Sequence, residues 1–185
     1  MSPENLVGYQ EIYLHMIFDI KLGENFRRKT RLVAGGHNTK AFSSIAYSLA
    51  VLRYSVRMCL LITALNDLDI QSGDIENYFL TAPCWEKIWT RAGPKFGRDE
   101  DKVFIIVMEL YGLKSSGAAF KTFLAERLGE MRFKSSIADT DVWIILATKA
   151  DGEQYYKFIL VYVDDLLAII QDSVSAIREV AEKLK

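Results

Sequence analysis

The stretch "VYVDDLLAII", residues 161–170, sets Asp164 and Asp165 side by side in the most apolar part of the chain. Ionised carboxylates are costly to remove from water unless something neutralises them. Five β-forming residues precede the pair and five apolar ones follow, so the economical reading is a tight hairpin with both aspartates at its tip. Adjacent like charges raise each other's cost of ionisation, so the pair asks for a cation. Magnesium suits it, being a hard ion commonly shared between carboxylates and substrate phosphates. Two such ions about 4 Å apart stabilise the attacking and leaving oxygens of a phosphoryl transfer. That chemistry wants a further carboxylate from elsewhere, and the candidates are Asp67, Asp69 and Asp74. On an extended strand Asp74 is in phase with Leu68 and Ile70 while Asp69 points the other way. Tyr78 and Phe79 follow closely and can floor a nucleotide pocket. A plainer possibility stands beside this one: "VDD" as a polar turn between two strands.

What surrounds the pair reads as one globular domain. Of 185 residues, 50% are hydrophobic and 25% charged, enough for a real core. A net charge of −1 demands no polyanionic partner, although a local cleft can still be basic. Cys59 and Cys84 lack the paired spacing of zinc or disulfide frameworks, which points to a reducing compartment, and His15 and His37 are isolated. The polar start "MSPENLVGYQ" carries no apolar signal region, and charges interrupt every candidate for the roughly 20 apolar residues a membrane span needs. The expectation is a soluble chain with no membrane partner.

The periodicities predict a hairpin over "EIYLHMIFDIKLGENFRRKTRLVAGG", turning near Gly23 and Glu24, and a buried helix over "SVRMCLLITALND". An extended segment "LDIQSGDIENYFL" ends by Pro83, and "EKIWTRAG" and "KVFIIVMEL" read as strands. Ser115 or Ser116 can cap a helix over "GAAFKTFLAERLGEM", where Phe120, Phe123, Leu124, Leu128 and Met131 form a stripe. Two strands follow around the Asp151–Gly152 turn, then "LLAII" and a helical tail. Without strict βαβ alternation, repeats or linkers, the fold class is α+β with a largely antiparallel sheet.

Two further stretches carry possible chemistry. "FRRKTRLV" places Arg27, Arg28, Lys29 and Arg31 within five positions with nothing neutralising nearby. On a strand Arg27, Lys29 and Arg31 share a face, a cationic row suited to a triphosphate or a nucleic-acid backbone, or simply a solvated face. "LYGLKSSGAAF" is a glycine-containing turn with Lys114 leading into a helix; it can hold a phosphate or be an ordinary capped start.

In this order, "KTRLVAGG", "LDIQSGDIENYFLTAP", "LYGLKSSGAAF" and "LVYVDDLLAI" resemble the reverse transcriptase domain of copia-type LTR retrotransposons, a likeness running from about residue 10 to the C-terminus. The resemblance implies a right-hand polymerase fold with fingers over approximately 1–42 and 84–114 and palm over 43–83 and 115–185. It implies an RNA-directed DNA polymerase that extends a DNA primer on an RNA template with deoxynucleoside triphosphates and two Mg2+ ions. Carried over by position, Asp74, Asp164 and Asp165 match the catalytic, metal-holding carboxylates. Arg31 and Lys29 match basic positions that touch the triphosphate, and Phe79 the aromatic that excludes a ribose 2′-hydroxyl. Tyr111, Gly112 and Lys114 fall in the loop against nucleotide and template, and Tyr162 near the primer end. Retrotransposon habit implies other parts of a polyprotein as partners and a cytoplasmic location, within virus-like particles.

The chain also departs from that pattern. Tyr78 stands where relatives have a small residue, which would put bulk where the sugar packs. Ser115 to Phe120 replace a usual "QAPRAW", and "HNTKAFSSIAYSLAVLRYSVR" looks rearranged or shortened. The sequence stops soon after "VDD", before further palm strands, thumb or RNase H, so weakened primer–template binding is expected. The alternative reading is therefore a catalytically inactive, truncated remnant, at most a weak nucleic-acid-binding module.

Overall fold

The computed structural model of the chain describes residues 6–23, 25–35 and 50–184. These residues form an α+β fold with ten strands and three α-helices, and nearly all strand pairs are antiparallel. They fall into two compact units, Met1–Ala46 with Phe79–Phe120, and Tyr47–Tyr78 with Lys121–Lys185. None of the described helices is long and apolar enough to cross a membrane.

The first unit contains the hairpin of β2 (Leu14–Lys21) and β3 (Arg27–Ala34) and a small sheet of β1 (Gln10–Glu11), β5 (Ile88–Arg91) and β6 (Val103–Ile105). β1 runs parallel to β5, the one parallel pair among the described strands. Ile12, Ala34, Ile88, Leu110 and Leu113 form its buried apolar cluster. The hairpin is as its alternation predicts on either side of the turn, Glu24 itself lying outside the described residues. The register sets Asp19 across the ladder from Lys29 without an ion pair between them. The strand expected over "KVFIIVMEL" is shorter. The Ile106 N–H still donates to the Ile88 carbonyl at 3.0 Å; past it the chain leaves β5, and Met108 bridges to Pro83 instead.

The second unit is built on a five-stranded antiparallel sheet in the order β4 (Asp69–Asp74), β10 (Asp165–Ile170), β9 (Gln154–Tyr162), β8 (Val142–Thr148), β7 (Lys134–Ser135). β8 and β9 turn at Gly152, whose φ of 91° is open to a residue without Cβ. Helix α1 (Arg53–Asn66) contributes Cys59, Val56 and Ile62 to a core with Phe158, Leu160 and Ile169. α3 (Ser173–Lys183) lies over β4 and β10, and a Cβ on Gly73 would come within 2.9 Å of Ile177. Glycine at 73 therefore lets this helix approach the strand beside Asp74.

α1 corrects the expectation of a buried helix. Only Cys59 and Thr63 are buried along it, while Tyr54, Met58, Leu61 and Leu65 are exposed. The apolar run is richer than one sheet face can cover, since a helix laid on a sheet buries a single stripe. Helix α2 (Ser116–Glu130) follows its stripe more closely: Phe120, Leu124 and Leu128 are buried, and the Arg127 guanidinium stands 4.9 Å over the Phe123 ring.

Candidate active site

The carboxylates come together through strand register. β4 and β10 pair with Asp74 directly opposite Asp165, and β10 pairs with β9 so that Asp165 also faces Tyr162. Directly opposed residues project from the same sheet face. Val163 and Asp164 make the two-residue turn between β9 and β10, so Asp165 opens the strand rather than sharing the tip as the sequence suggested. The Ile75 N–H donates to the Asp164 carbonyl at 2.8 Å, which ties the turn to the residue after Asp74. One carboxylate oxygen from each of Asp74, Asp164 and Asp165 lies within 4.8 Å of the others. Asp74 and Asp165 are exposed and Asp164 is half-buried. Asp67 and Asp69, the other candidates, lie outside this group, Asp69 sitting across from Ile170 at the far end of the strand.

The turn is strained. Positive φ falls on Val163, at 57°, and not on Asp164. That placement is the signature of a turn whose first central position favours glycine. A β-branched residue there is held against its preference by the ladder on both sides, at a cost on the order of 1–3 kcal/mol.

The site has a support that sequence reasoning missed. Asp141 and Asp139 are buried and fasten residues 50–52 beside the end of β9. Asp141 Oδ2 accepts from the Ala50 N–H at 3.1 Å, and Asp139 Oδ2 from the Leu52 N–H at 2.9 Å. The Val161 N–H donates to the Asp141 carbonyl at 2.9 Å, and the Val51 N–H to the Val161 carbonyl at 3.0 Å. Ala50 in turn bridges Tyr162, the residue facing Asp165. The clamp thus braces β9 next to the catalytic candidates. The available signal was "ADTD", two aspartates spaced to bond local backbone ahead of a strand.

Burial works to raise the Asp139 pKa, but hydrogen bonds from the Ser55 side chain and the Leu52 and Asp141 backbone, with the Lys121 charge, hold it below its ordinary value. A depressed folded-state value gives stability that is present above the unfolded value, about 3.9, and lost as pH falls through the folded one. Asp139→Ala should therefore cost about 1–3 kcal/mol at neutral pH, and the loss should shrink as pH falls below about 4. Urea unfolding of both proteins from pH 7 to pH 3 measures this, and equal stabilities at neutral pH would remove the clamp from the account.

The residues expected to meet a nucleotide all belong to the first unit. Lys29 and Arg31 are half-buried on one face of β3, whose far end docks on the 110–114 turn. There the Ala34 N–H donates to the Tyr111 carbonyl at 2.7 Å. A Cβ on Gly112, where φ is 92°, would lie 2.2 Å from the Ala34 carbonyl oxygen. The Tyr111 ring meets the Phe79 ring edge-on, centroids 5.1 Å apart. Lys114 is exposed at the end of the turn. The end of β3, Tyr111, Gly112 and Phe79 are therefore linked through one continuous set of contacts. Tyr78, the residue that departs from the family pattern, is 8% exposed. Its ring is packed among protein atoms and does not project into open space.

A match to a known family spans this whole arrangement. The chain belongs to the reverse transcriptase (RNA-dependent DNA polymerase) family, whose sequence pattern it matches over residues 4–185. Its function is reverse-transcriptase-like, with nucleic-acid template, primer and nucleotides in general as the substrate class. No curated protein matches the chain.

The three carboxylates fit a divalent metal by the chemistry of the donor set. They are hard oxygen donors gathered from two strands and a turn, and no described lysine or arginine forms an ion pair with them.

Proposed function

We propose that this chain is the RNA-directed DNA polymerase domain of a copia-type LTR retrotransposon. The second unit would be its palm and the first its fingers. The observation that carries the reading is the meeting of Asp74, Asp164 and Asp165 within 4.8 Å, from positions far apart in sequence, on a hairpin end.

In this reading Asp74, Asp164 and Asp165 would hold two magnesium ions. Bound there, the ions supply charge neutralisation for the primer 3′-hydroxyl as it loses its proton and for the departing pyrophosphate. Tyr162, beside Asp165 on the same face, supports the primer end. Arg31 and Lys29 take the triphosphate oxygens by charge-assisted hydrogen bonds, and Lys114 adds a third cation at the turn. Phe79, fixed edge-on by Tyr111, lies under the sugar and leaves no room for a 2′-hydroxyl. RNA template, DNA primer and deoxynucleoside triphosphates are the partners, with other segments of a polyprotein beside them.

Extension of a DNA primer on an RNA template with magnesium tests the proposal. The wild type should extend with deoxynucleotides, and Phe79→Ala should lower discrimination against ribonucleotides at least about tenfold, because the gate acts by overlap alone. No extension above the background of an Asp164→Asn protein would return the chain to the inactive reading.

A further inference from the structure

Glu109 is 1% exposed, and nothing in the chemistry above uses it. It lies where residues 82–84 pair with 107–109, its own N–H donating to the Ala82 carbonyl at 2.9 Å. Its Oε2 stands 3.1 Å from Ser115 Oγ and 2.8 Å from Ser116 Oγ. Ser116 Oγ is also 2.7 Å from the Leu110 carbonyl oxygen.

These three contacts need three protons. Each serine hydroxyl has one to donate, and a carbonyl oxygen has none. With Glu109 ionised only two protons serve the three contacts, so the Ser116 hydroxyl has to divide its one hydrogen between two acceptors. With Glu109 protonated the count closes. Its O–H donates to Ser116, Ser116 donates to the Leu110 carbonyl, and Ser115 donates to the remaining lone pair on Oε2.

We propose that Glu109 is a positioning residue for the nucleotide loop: as a protonated acid it donates to the Ser116 hydroxyl, which donates on to Leu110, and this relay holds the 110–116 turn that carries Tyr111, Gly112 and Lys114. The positioning role rests on the polymerase reading above; the proton itself does not. Leu110 and Ser116 bracket the turn, so a bond between them sets its width. Tyr111 then meets both the end of β3 and Phe79. Glu109 reaches the nucleotide only through these residues.

The electrostatics agree. Burial pushes the Glu109 carboxyl above its ordinary value, against the downward pull of hydrogen bonds from the Ser116 and Ser115 hydroxyls and the Cys84 thiol, and the neighbouring Glu86 charge pushes the same way as burial. The titratable groups facing it are Glu86 and the Cys84 thiol. Burial, and then the Glu109 charge, push that thiol up to about 12, so it does not titrate in the range that matters. A folded-state value above the unfolded one, about 4.3, gives stability fully present below that pH and lost as pH rises through the folded value.

Glu109→Gln is the discriminating variant, because an amide N–H can donate to Ser116 at every pH. Denaturant unfolding of the full chain from pH 4 to pH 9 should show wild-type stability falling relative to Glu109→Gln as pH rises. Parallel profiles would overturn the protonated assignment. Primer extension over the same range gives the second reading. The wild-type KM for deoxynucleotide should climb with pH, up to about tenfold per unit above the folded value, with kcat changing far less and Glu109→Gln showing no climb. Ser116→Ala, which cuts the relay in the middle, should raise KM at all pH values. Diverging stability profiles with an unchanged KM would make Glu109 a core residue only and overturn the positioning role. A wild type that extends nothing at any pH would overturn the polymerase reading and that role together, while the stability profiles still judge the proton.

Discussion

Asp164→Asn should fold, melt no lower than the wild type in EDTA, and extend a primer at least about a thousandfold more slowly. The substitution keeps what the turn needs. The Asp164 carbonyl that accepts from Ile75 is backbone and survives, and asparagine is at home in tight turns. What is lost is one of three carboxylates held within 4.8 Å of one another. Without a cation those groups repel, so removing one relieves the apo fold. With magnesium the sign reverses. At ten times its dissociation constant the ion should stabilise the wild type by about 1.4 kcal/mol, or about 3–6 °C in Tm for a chain of this size. Asp164→Asn should forfeit most of that increment. The activity loss follows from charge stabilisation worth several kcal/mol in the transition state. Asp69→Asn is the control, an exposed carboxylate on the same strand placed opposite Ile170, and should change neither quantity. A magnesium-dependent rise in Tm that Asp164→Asn retains would show that the ion binds elsewhere, and the assignment of the three aspartates would fail.

Why those three residues were legible in the sequence, and others were not, follows from where the information lies. Asp164 and Asp165 announce themselves because charge inside an apolar run is costly, and Asp74 follows from strand phase. The register that sets Asp74 opposite Asp165 is a pairing across distant segments, and period alone does not choose a partner strand. The β2–β3 hairpin was legible because alternation and a polar turn are local. That Asp19 stands across from Lys29 was not legible, since opposing residues are set by the register of the whole ladder. α1 was read as a helix correctly and as buried wrongly. Composition reports that a segment is apolar, and only packing decides how much of it is covered. Asp139, Asp141 and Glu109 look like ordinary surface acids in sequence. Their burial is supplied by backbone N–H groups and hydroxyls from segments that no short motif connects to them.

Gly112→Ala should damage the 110–114 turn, which the proposed reading assigns to the nucleotide, while leaving any magnesium binding by the three aspartates intact. Two effects add at this position. With φ at 92°, an L side chain is strained by roughly 1–2 kcal/mol wherever it points. Here it also points at backbone, because the new Cβ would lie 2.2 Å from the Ala34 carbonyl oxygen and 3.0 Å from Val33 Cγ1. Ala34 cannot step back cheaply. Its N–H is bonded to the Tyr111 carbonyl at 2.7 Å, and it pairs with Leu14 across the hairpin. The turn must move instead, which carries Tyr111 away from β3 and from the Phe79 ring. That edge contact is itself worth about 0.5–1.5 kcal/mol. The expected cost is about 2–4 kcal/mol in denaturant unfolding, with KM for deoxynucleotide raised at least about tenfold. The magnesium-dependent rise in Tm, which depends on aspartates in the other unit, should persist. Gly152→Ala separates strain from clash. Its φ is 91°, but a Cβ there meets nothing within 4 Å, so it should cost only the conformational part and leave KM alone. If both glycine variants cost the same, the 110–114 turn is not wedged against β3, and the path from the end of β3 to Phe79 loses its middle link.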